Sequence, residues 1–583
     1  MSFMHWILAP ALILAAPSMA IPGMAAEKRA FTIEDLYRLK GVSSLSLSPD
    51  AARLLYQVSS QDLKKSTRVT QIWMLELATG TSRQLTFSDK SSTSPQWSAD
   101  GKTIHFLSSR EGGRQIWAMD LAGGEARKLT SIGIGLGTPK LHGNNVVFDA
   151  SVFPESMADA TRHKELSGHL ENGPVQAHIA DTLLYRHWTD YRDFQYTHLF
   201  TASMTDGKVQ PITSGKLDYP GYGQSFDLSA DGKAIVVATN TDAVPARSTN
   251  LDLFLINLDG DRTPQRLTGD NPAFDGDPKF SPDGRWIAYR LQRKPGFEAD
   301  RFQLAVWDRT TKTSRVLTET IDNWVTTFQW SPDGKALWFT LDEKGRTPLH
   351  RVEVATGKIQ RMLEGHTLSE YVLSPDQKAV LFTTSKVGEP VEIWRYGFEK
   401  KDLKRLTAIN QAVADEVDIR PSEELWVKGA NGTPVHVFVV KPHGFDPSKK
   451  YPLIINVHGG PQMQWTDSLR GDWQVYPGAG YVVAFPNPHG STGYGQAFTD
   501  AISGDWDGKV ITDIEKVTDA LAKLPYVDAD RMGAMGWSWG GYAMMWLEGH
   551  STRYKALAAM MGVYDLPSMH GATEELWFPE WDL

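Results

Sequence analysis

A serine flanked by glycines near the end of the sequence has the setting of a nucleophile. Ser538 lies two residues after Gly536 and two before Gly540, in the pattern Gly-x-Ser-x-Gly. In this pattern a strand turns sharply into a helix, the serine side chain protrudes, and the glycines let strand and helix approach each other. An apolar run at 532–536 precedes the motif and a helix-like run at 542–547 follows it. Ser538 is therefore the predicted nucleophile of an acyl-transfer reaction.

A serine nucleophile also needs N–H donors for the oxygen that becomes negatively charged in the tetrahedral intermediate. One predicted donor is the backbone N–H of Trp539, at the start of the helix. The second is expected in the loop after an early strand, and the strand-like run 453–457 leads into His458, Gly459 and Gly460. These glycines allow a backbone N–H to face a substrate; the alternative is an ordinary Gly-Gly turn. His458 precedes the nucleophile, whereas hydrolases of this fold place the catalytic histidine last, so it is not predicted to be the base.

The elements that position these residues are typical of a mostly parallel α/β sheet. The apolar runs 453–457 and 481–485 suit strands buried on both faces. A helix-like segment at 510–521 separates them from the strand before Ser538. Strands that alternate with helices indicate a mostly parallel sheet. We predict residues 411–583 to be an α/β-hydrolase catalytic domain that lacks its C-terminal part.

The longer first part of the chain consists of similar units. Six of them contain a Ser-x-Asp turn, which begins at Ser48, Ser98, Ser229, Ser281, Ser331 and Ser374. A strand follows each turn, and most units close with Leu-Thr or Ile-Thr. One more unit has its turn near Asn144 and carries an insertion near 152–195. Four short strands per unit are typical of propeller blades, whereas a parallel β-helix has a much shorter repeat. Residues 27–410 are predicted to form a seven-bladed β-propeller, and the Ser and Asp residues of its turns are interpreted as turn chemistry.

Two interpretations of the insertion stay open. Its segment 185–191 combines aromatic and charged residues, which could contact a substrate or fix the insertion to a blade. Glu155, Asp190 and Asp193 are carboxylates that could capture a free amino terminus. The alternative for each of the three is a solvated surface charge.

Composition excludes several classes of function. The chain of 583 residues has no cysteine, which rules out a thiol nucleophile, a Cys-based metal site and a disulfide framework. Its net charge of −9, without a block of Lys and Arg, argues against a nucleic-acid partner. The sequence contains no Gly-rich phosphate loop and no His-Glu-x-x-His motif, so neither a metal nor an organic cofactor is predicted.

The first residues have the pattern of a signal peptide. An apolar run is followed by small residues, although no basic residue occurs before Lys28. Residues 1–26 are predicted to be a signal peptide, which implies an exported protein, periplasmic or secreted. The alternatives are an uncleaved membrane anchor and a misassigned start codon. No other stretch has the roughly 18 apolar residues of a membrane span, so stable membrane insertion is not expected after cleavage.

Three motifs in this order, together with the propeller, resemble the prolyl oligopeptidase family. They lie at 458–461, 487–495 and 536–542, and the similarity is strongest to the acylaminoacyl-peptidase and dipeptidyl-peptidase branches. Some relatives have Arg where this chain has His489. Others use a Tyr hydroxyl where this chain has His458, which removes that particular donor.

The resemblance implies hydrolysis of short peptides, with the propeller shielding the active site from folded proteins. It also implies Ser538 as nucleophile and the backbone N–H groups of Gly460 and Trp539 as the oxyanion hole. The expected function is that of a serine peptidase, either an exopeptidase or an oligopeptidase. The alternatives are a catalytically silent propeller that binds peptides or partners, and an esterase, which has no obvious need for a size filter.

In this family the catalytic Asp and His lie well beyond the nucleophile. The sequence ends at Leu583, and the groups that follow the nucleophile are His550, Asp565, His570 and Asp582. Asp565 and His570 have no strand between them that could bring the histidine round, so they are not predicted to form a triad. The triad acid and base are expected to lie outside this chain, as in a fragment with impaired activity.

Overall fold

The computed structural model describes residues 27–583, and the predicted signal peptide at 1–26 lies outside the described residues. Residues 41–405 form seven four-stranded antiparallel sheets, each built from consecutive strands. We number these sheets as blades 1 to 7.

Blades 1 to 4 follow one another along the chain. Blade 1 contains Gly41–Leu47, Arg53–Asp62, Thr67–Glu76 and Thr81–Gln84. Blade 2 contains Ser92–Trp97, Thr103–Ser108, Gln115–Asp120 and Arg127–Lys128. Blade 3 contains Lys140–His142, Asn145–Val152, Tyr196–Ser203 and Val209–Pro211. Blade 4 contains Phe226–Leu228, Ala234–Thr239, Asp252–Asn257 and Gln265–Arg266.

The other three blades follow the same plan. Blade 5 contains Asp275–Phe280, Trp286–Leu291, Gln303–Asp308 and Thr313–Val316. Blade 6 contains Val325–Trp330, Ala336–Leu341, Leu349–Glu353 and Ile359–Leu363. Blade 7 contains Thr367–Leu373, Ala379–Lys386, Glu389–Gly397 and Asp402–Arg405.

The repeated Ser-x-Asp turns join the first two strands of six blades. In blade 1 the Ser48 hydroxyl donates to Asp50 Oδ1 at 2.5 Å and accepts the N–H of Arg53 at 2.9 Å. The same Ser–Asp bond recurs at Ser98, Ser229, Ser281, Ser331 and Ser374. The closing threonine has a role of its own, since Thr86 Oγ1 accepts the N–H of Ile72 at 2.9 Å. These bonds explain why the two signatures repeat along the sequence.

Apolar clusters between neighbouring blades close the ring. Leu55 and Ile72 of blade 1 pack with Ile104 and Phe106 of blade 2, for example. At the other side, Val42, Leu54 and Tyr56 of blade 1 pack with Leu381 and Ile393 of blade 7. A parallel pair of short strands, Arg29–Ala30 before blade 1 and Val417–Asp418 after blade 7, joins the two ends of the propeller segment. Short helices at Ile33–Arg38 and Gln411–Glu416 flank this pair.

Blade 3 carries the insertion, between its second and third strands. The inserted segment contains the helix Ala160–Asn172 and a small hairpin, Arg186–His187 with Asp190–Tyr191. The helix begins at an Asp159 side chain that accepts the N–H groups of Thr161 and Arg162, as an N-cap does.

The last third of the chain forms a six-stranded sheet. Its strands are β1 (Ser422–Lys428), β2 (Pro434–Val440), β3 (Tyr451–Val457), β4 (Val482–Asn487), β5 (Val527–Trp537) and β6 (Ala556–Met560). They lie in the order β1-β2-β4-β3-β5-β6. Strand β2 is antiparallel to both of its neighbours, β1 and β4, and the pairs β4–β3, β3–β5 and β5–β6 are parallel. The predicted seven-bladed propeller and mostly parallel α/β sheet are both confirmed.

Helices cover this sheet and extend beyond it. They are α1 (Asp472–Gly478), α2 (Gln496–Asp500), α3 (Lys509–Ala522), α4 (Trp539–His550), α5 (Leu566–Ala572) and α6 (Trp577–Asp582). The helix after Ser538 thus begins three residues earlier than the sequence pattern indicates. No helix within residues 27–583 is long and apolar enough to cross a membrane.

Candidate active site

Ser538 occupies a sharp turn between β5 and α4. Its backbone has φ of 56° and ψ of −117°, a strained conformation for a residue with a side chain. Glycine is required on both sides, because a Cβ on Gly536 would lie 2.2 Å from the carbonyl oxygen of Gly540. A Cβ on Gly540 would lie 2.3 Å from the carbonyl oxygen of Val457, at the end of β3. The strained turn therefore depends on close contacts that only glycines permit.

The loop after β3 lies against this turn. A Cβ built on Gly459 would be 3.0 Å from Cβ of Ser538 and 2.6 Å from the carbonyl oxygen of Trp537. Gly460, the next residue, is exposed and has φ of 122°. Among residues 27–583, nothing accepts a hydrogen bond from its N–H. The N–H of Trp539 is at the first position of α4, where no intrahelical acceptor exists. Among residues 27–583, neither N–H therefore has a backbone acceptor.

His458 holds this loop in place. Its Nδ1 lies 2.8 Å from the carbonyl oxygen of Gly459, and its Nε2 lies 2.9 Å from the hydroxyl of Ser491. Burial lowers the pKa of His458 to about 4, so the ring is neutral at pH 7. Because a carbonyl oxygen can only accept, Nδ1 carries the proton. The imidazole faces Ser491 and not Ser538.

The direction of this hydrogen bond determines where the next N–H points. The peptide between Gly459 and Gly460 is trans, so its C=O and N–H groups point in opposite directions. Since His458 fixes the carbonyl oxygen on one side, the N–H of Gly460 is directed to the other. This geometry suits an oxyanion donor.

His489 is part of a second buried contact behind the site. Its Nδ1 and its backbone N–H lie 2.6 and 2.7 Å from Asp513 Oδ2. The other oxygen, Oδ1, accepts the N–H of Ala430 at 2.7 Å. Asp513, on α3, is fully buried. The contact fixes the loop that begins at residue 488 and carries Ser491.

The four groups that follow Ser538 in the sequence lie elsewhere. His550, at the end of α4, donates from Nδ1 to the carbonyl oxygen of Trp546 at 2.7 Å. Asp565 caps α5, and His570 is exposed on that helix. Asp582 accepts hydrogen bonds from Ser503 and Gln462. Within residues 27–583, no imidazole or carboxylate hydrogen-bonds to the hydroxyl of the candidate nucleophile.

The insertion contacts the α/β part of the chain. Arg186 pairs with Glu574 at 3.1 Å, and His187 Nε2 lies 2.6 Å from Glu575 Oε1. The segment that combines aromatic and charged residues thus meets the region before α6. Of the three carboxylates considered in the sequence, Glu155 and Asp190 are exposed. The third, Asp193, lies 2.7 Å from His178 Nδ1.

A chamber of about 460 Å³ lies beside this contact. Its apolar walls include Leu217, Leu251, Phe274 and Phe302 of the propeller. Trp577 is the one residue from the α/β part among the described residues that line it.

Glu298 and Asp218 are the carboxylates among the described residues that line this chamber, and Asp218 is paired with Arg192. Glu298 Oε2 accepts the indole N–H of Trp577 at 2.7 Å, and no residue among 27–583 hydrogen-bonds to Oε1. The side chain is open to the water of the chamber but surrounded by protein. This burial, aided by the charges of Glu575 and Asp582, raises the pKa of Glu298 to about 7. Sequence reasoning missed Glu298, because nothing distinguishes it from other charged residues in the loops between blade strands.

Helix α6 connects the chamber to the turn at Ser538. Phe578 packs on Trp506, with ring centroids 6.0 Å apart, and Trp506 lies 6.5 Å from Trp539. At its other end α6 carries Asp582, which accepts a hydrogen bond at 3.1 Å from Gln462, two residues after Gly460.

Among residues 27–583 no group of three or more His, Asp or Glu has the arrangement of a metal site.

Comparison with known families gives a consistent result along the chain. Residues 467–583 match the family described as the prolyl oligopeptidase family, and residues 31–160 match the TolB β-propeller domain. Dipeptidyl-peptidase 5 of Porphyromonas gingivalis is 32% identical over 571 residues, which cover 95% of this chain and 81% of that protein. Dipeptidyl-peptidase 5 of Aspergillus fumigatus is 29% identical over 606 residues, covering 96% of this chain and 82% of that protein.

Solved structures share the fold. An acylaminoacyl peptidase in complex with Z-Gly-Gly-Phe-chloromethyl ketone superposes with a TM-score of 0.79 at 18% identity, covering 94% of this chain and 82% of that one. A puromycin hydrolase gives a TM-score of 0.67 at 15% identity, covering 93% of this chain and 81% of that one.

Proposed function

Because the chain belongs to the prolyl oligopeptidase family of serine peptidases, we propose that it hydrolyses short peptides through an acyl-enzyme on Ser538. The observation that carries this proposal is the strained turn at Ser538, packed against the loop of Gly459 and Gly460. In the proposed site the turn presents a hydroxyl to two backbone N–H groups that have no acceptor among residues 27–583. Residues 27–410 would then act as the propeller that limits substrate size, and 411–583 would carry the chemistry. The pattern at 1–26 supports export to the periplasm or medium.

In the proposed reaction, Ser538 Oγ attacks the carbonyl carbon of the scissile peptide bond. The carbonyl oxygen becomes an oxyanion and accepts the N–H groups of Gly460 and Trp539. The hydroxyl proton of Ser538 passes through a general base, which no residue among 27–583 places at Oγ, to the leaving amine as the C–N bond breaks. Water then hydrolyses the acyl-enzyme, and Ser538 regains a proton. The loss of one oxyanion donor costs about 3–4 kcal/mol of barrier in enzymes of this kind.

The name of the curated relatives, dipeptidyl-peptidase, describes release of a dipeptide. This activity requires the enzyme to bind a free amino terminus at a fixed distance from the nucleophile, so that the bond after the second residue is cleaved. A carboxylate that binds the terminal ammonium does this most directly. Glu298 has a free oxygen in the chamber, and the negative charges of Glu575 and Asp582 nearby favour a cation there. We therefore assign the amino-terminal end of the substrate to Glu298.

A second candidate function is peptide binding without catalysis. It is favoured by one observation: within residues 27–583 no side chain hydrogen-bonds to Ser538 Oγ as a base. A serine without a base keeps its proton and is a weak nucleophile.

Labelling of the full chain with a fluorophosphonate probe separates the two functions. We expect covalent labelling of folded protein that disappears in Ser538→Ala. Ser568→Ala, which changes an exposed serine on α5, is the matched control and should label like the unaltered chain. Absence of labelling in a sample that melts cooperatively would overturn the peptidase proposal and favour the binder.

A further inference from the structure

We propose that Trp577 is a specificity-determining residue, which forms one wall of an apolar subsite for the side chain of the substrate's amino-terminal residue. This inference rests on the proposed peptide substrate. It concerns the chamber lined by Leu217, Leu251, Phe274 and Phe302 of the propeller, to which Trp577 adds a wall from the α/β part of the chain.

The chemistry of the chamber favours an apolar occupant. Four of its walls are aliphatic or aromatic, and the indole of Trp577 adds a fifth apolar surface. An apolar side chain that leaves water for such walls is stabilised in proportion to the area that it buries. A carboxylate side chain would be desolvated there and repelled by Glu298. Of the two cations that line the chamber, Arg192 is already paired with Asp218, and Lys216 is the other.

Trp577 is held from both domains, as a selective wall must be. Its indole N–H donates to Glu298 Oε2 at 2.7 Å, which ties it to blade 5. The neighbouring Phe578 packs on Trp506 of the α/β part. Glu580, one turn further along α6, pairs with Arg247 of the propeller at 2.6 Å. The indole therefore has little freedom to move aside for a polar group.

Helix α6 joins the chamber to the loop of the proposed oxyanion donor. It runs from Trp577 at the chamber to Asp582, which accepts a hydrogen bond from Gln462 in that loop. The proposed substrate extends along this helix, from the scissile bond beside Gly460 to its first residue near Trp577.

Binding of uncleaved peptides tests the subsite. The full chain with Ser538→Ala is titrated calorimetrically with Phe-Ala-Ala-Ala-amide and with Glu-Ala-Ala-Ala-amide. We expect the Phe peptide to bind at least about tenfold more tightly. Adding Trp577→Ala should reduce this ratio to about two or less, by loss of affinity for the Phe peptide. Equal affinities in the first protein, or an unchanged ratio in the second, would overturn the inference.

Two further variants separate the wall from a general loss of structure. Trp581→Ala changes a tryptophan of the same helix that stacks on Phe297 and does not line the chamber, so the ratio should stay as in the parent. Trp577→Phe keeps an apolar wall and should retain most of the preference. If Trp581→Ala abolished the preference as Trp577→Ala does, the effect would belong to the helix and the inference would fail.

The outcome is independent of the hydrolase proposal. If the chain prefers the Phe peptide but Ser538 does not react with the fluorophosphonate, the subsite proposal is supported and the hydrolase proposal is contradicted. If Ser538 is labelled but the chain shows no preference between the Phe and Glu peptides, the hydrolase proposal is supported and the subsite proposal is contradicted.

Discussion

Nδ1 of His458 donates to the carbonyl oxygen of Gly459 at 2.8 Å, and this single hydrogen bond sets the direction of the N–H of Gly460. The donor is a side chain with no expected contact with substrate. The group that it directs is the proposed oxyanion donor, the N–H that points in the opposite direction within the same peptide plane.

Variants of His458 should therefore affect the reaction more than binding. With His458→Ala we expect the labelling rate of Ser538 to fall about 10²–10³-fold, the cost of losing one oxyanion donor. His458→Asn places an amide N–H near the position of Nδ1 and should restore much of the rate. His458→Gln, which extends towards Ser491 instead, should not.

The measurement is the rate of fluorophosphonate labelling, with melting temperatures recorded for each variant. An unaltered rate in a folded His458→Ala protein would show that the loop does not need this bond. Equal rates for the Asn and Gln variants would contradict the role of Nδ1 in particular.

Gly540 should not tolerate a side chain, whereas Gly549 of the same helix should. A Cβ on Gly540 would meet the carbonyl oxygen of Val457 at 2.3 Å, whereas a Cβ on Gly549 meets nothing within 4 Å. We expect Gly540→Ala to lower the free energy of unfolding by about 2–4 kcal/mol and to abolish labelling, because backbone must shift. Gly549→Ala should stabilise the helix by up to about 1 kcal/mol. Urea unfolding of both variants gives the comparison, and similar stabilities would contradict the packing at the turn.

The pH dependence of peptide binding should report Glu298. Its pKa of about 7 means that the carboxyl is protonated and neutral below this pH and charged above it. The affinity of Ser538→Ala for a peptide with a free amino terminus should thus rise as the pH increases through about 7, then fall as the ammonium loses its proton near pH 8. In Glu298→Gln the rise should be absent, while the indole of Trp577 keeps an acceptor.

An N-acetylated peptide is the control for this experiment. It carries no ammonium, so its affinity should be lower and should show no rise through neutral pH. A rise of equal size for acetylated and free peptides would assign the titration to another group.

The parts of the site encoded by local sequence could be predicted. The turn at Ser538 follows from Gly536 and Gly540, since the steric requirement lies within a few residues. The blade turns follow from hydrogen bonds such as Ser48 to Asp50, two residues apart. Sequence patterns of this range specify a conformation almost by themselves.

The chamber could not be predicted, because its parts meet only in the folded chain. Trp577 and Glu298 are separated by 279 residues and come together where α6 docks against blade 5. Residues 577–581 of the aromatic segment before the end of the sequence belong to helix α6. The carboxylates considered in the insertion, Glu155 and Asp190, lie exposed. Charge and aromaticity in a loop do not reveal which cavity a residue faces.

The last prediction concerns Asp513, which supports the site from behind. This fully buried carboxylate accepts the N–H of Ala430 and two donors of His489, at 2.6–2.7 Å. Asp513→Asn keeps the shape but replaces one acceptor oxygen by an N–H₂ group that would face a donor. A buried donor or acceptor left without a partner costs about 1–3 kcal/mol, and more where a charge is lost. We expect a loss of about 2–4 kcal/mol in the free energy of unfolding.

Asp519→Asn is the matched control on the same helix. That side chain is half exposed and pairs with Arg553 at the surface, where an ion pair contributes about 0–1 kcal/mol. Urea unfolding should therefore separate the two variants by at least about 1 kcal/mol. The loop of His489 also carries Ser491, the partner of His458, so Asp513→Asn should slow labelling of Ser538 while Asp519→Asn leaves it unchanged. If both variants labelled at the rate of the parent, the orientation of the Gly459–Gly460 peptide would not depend on this buried contact, and His458 would have to hold it alone.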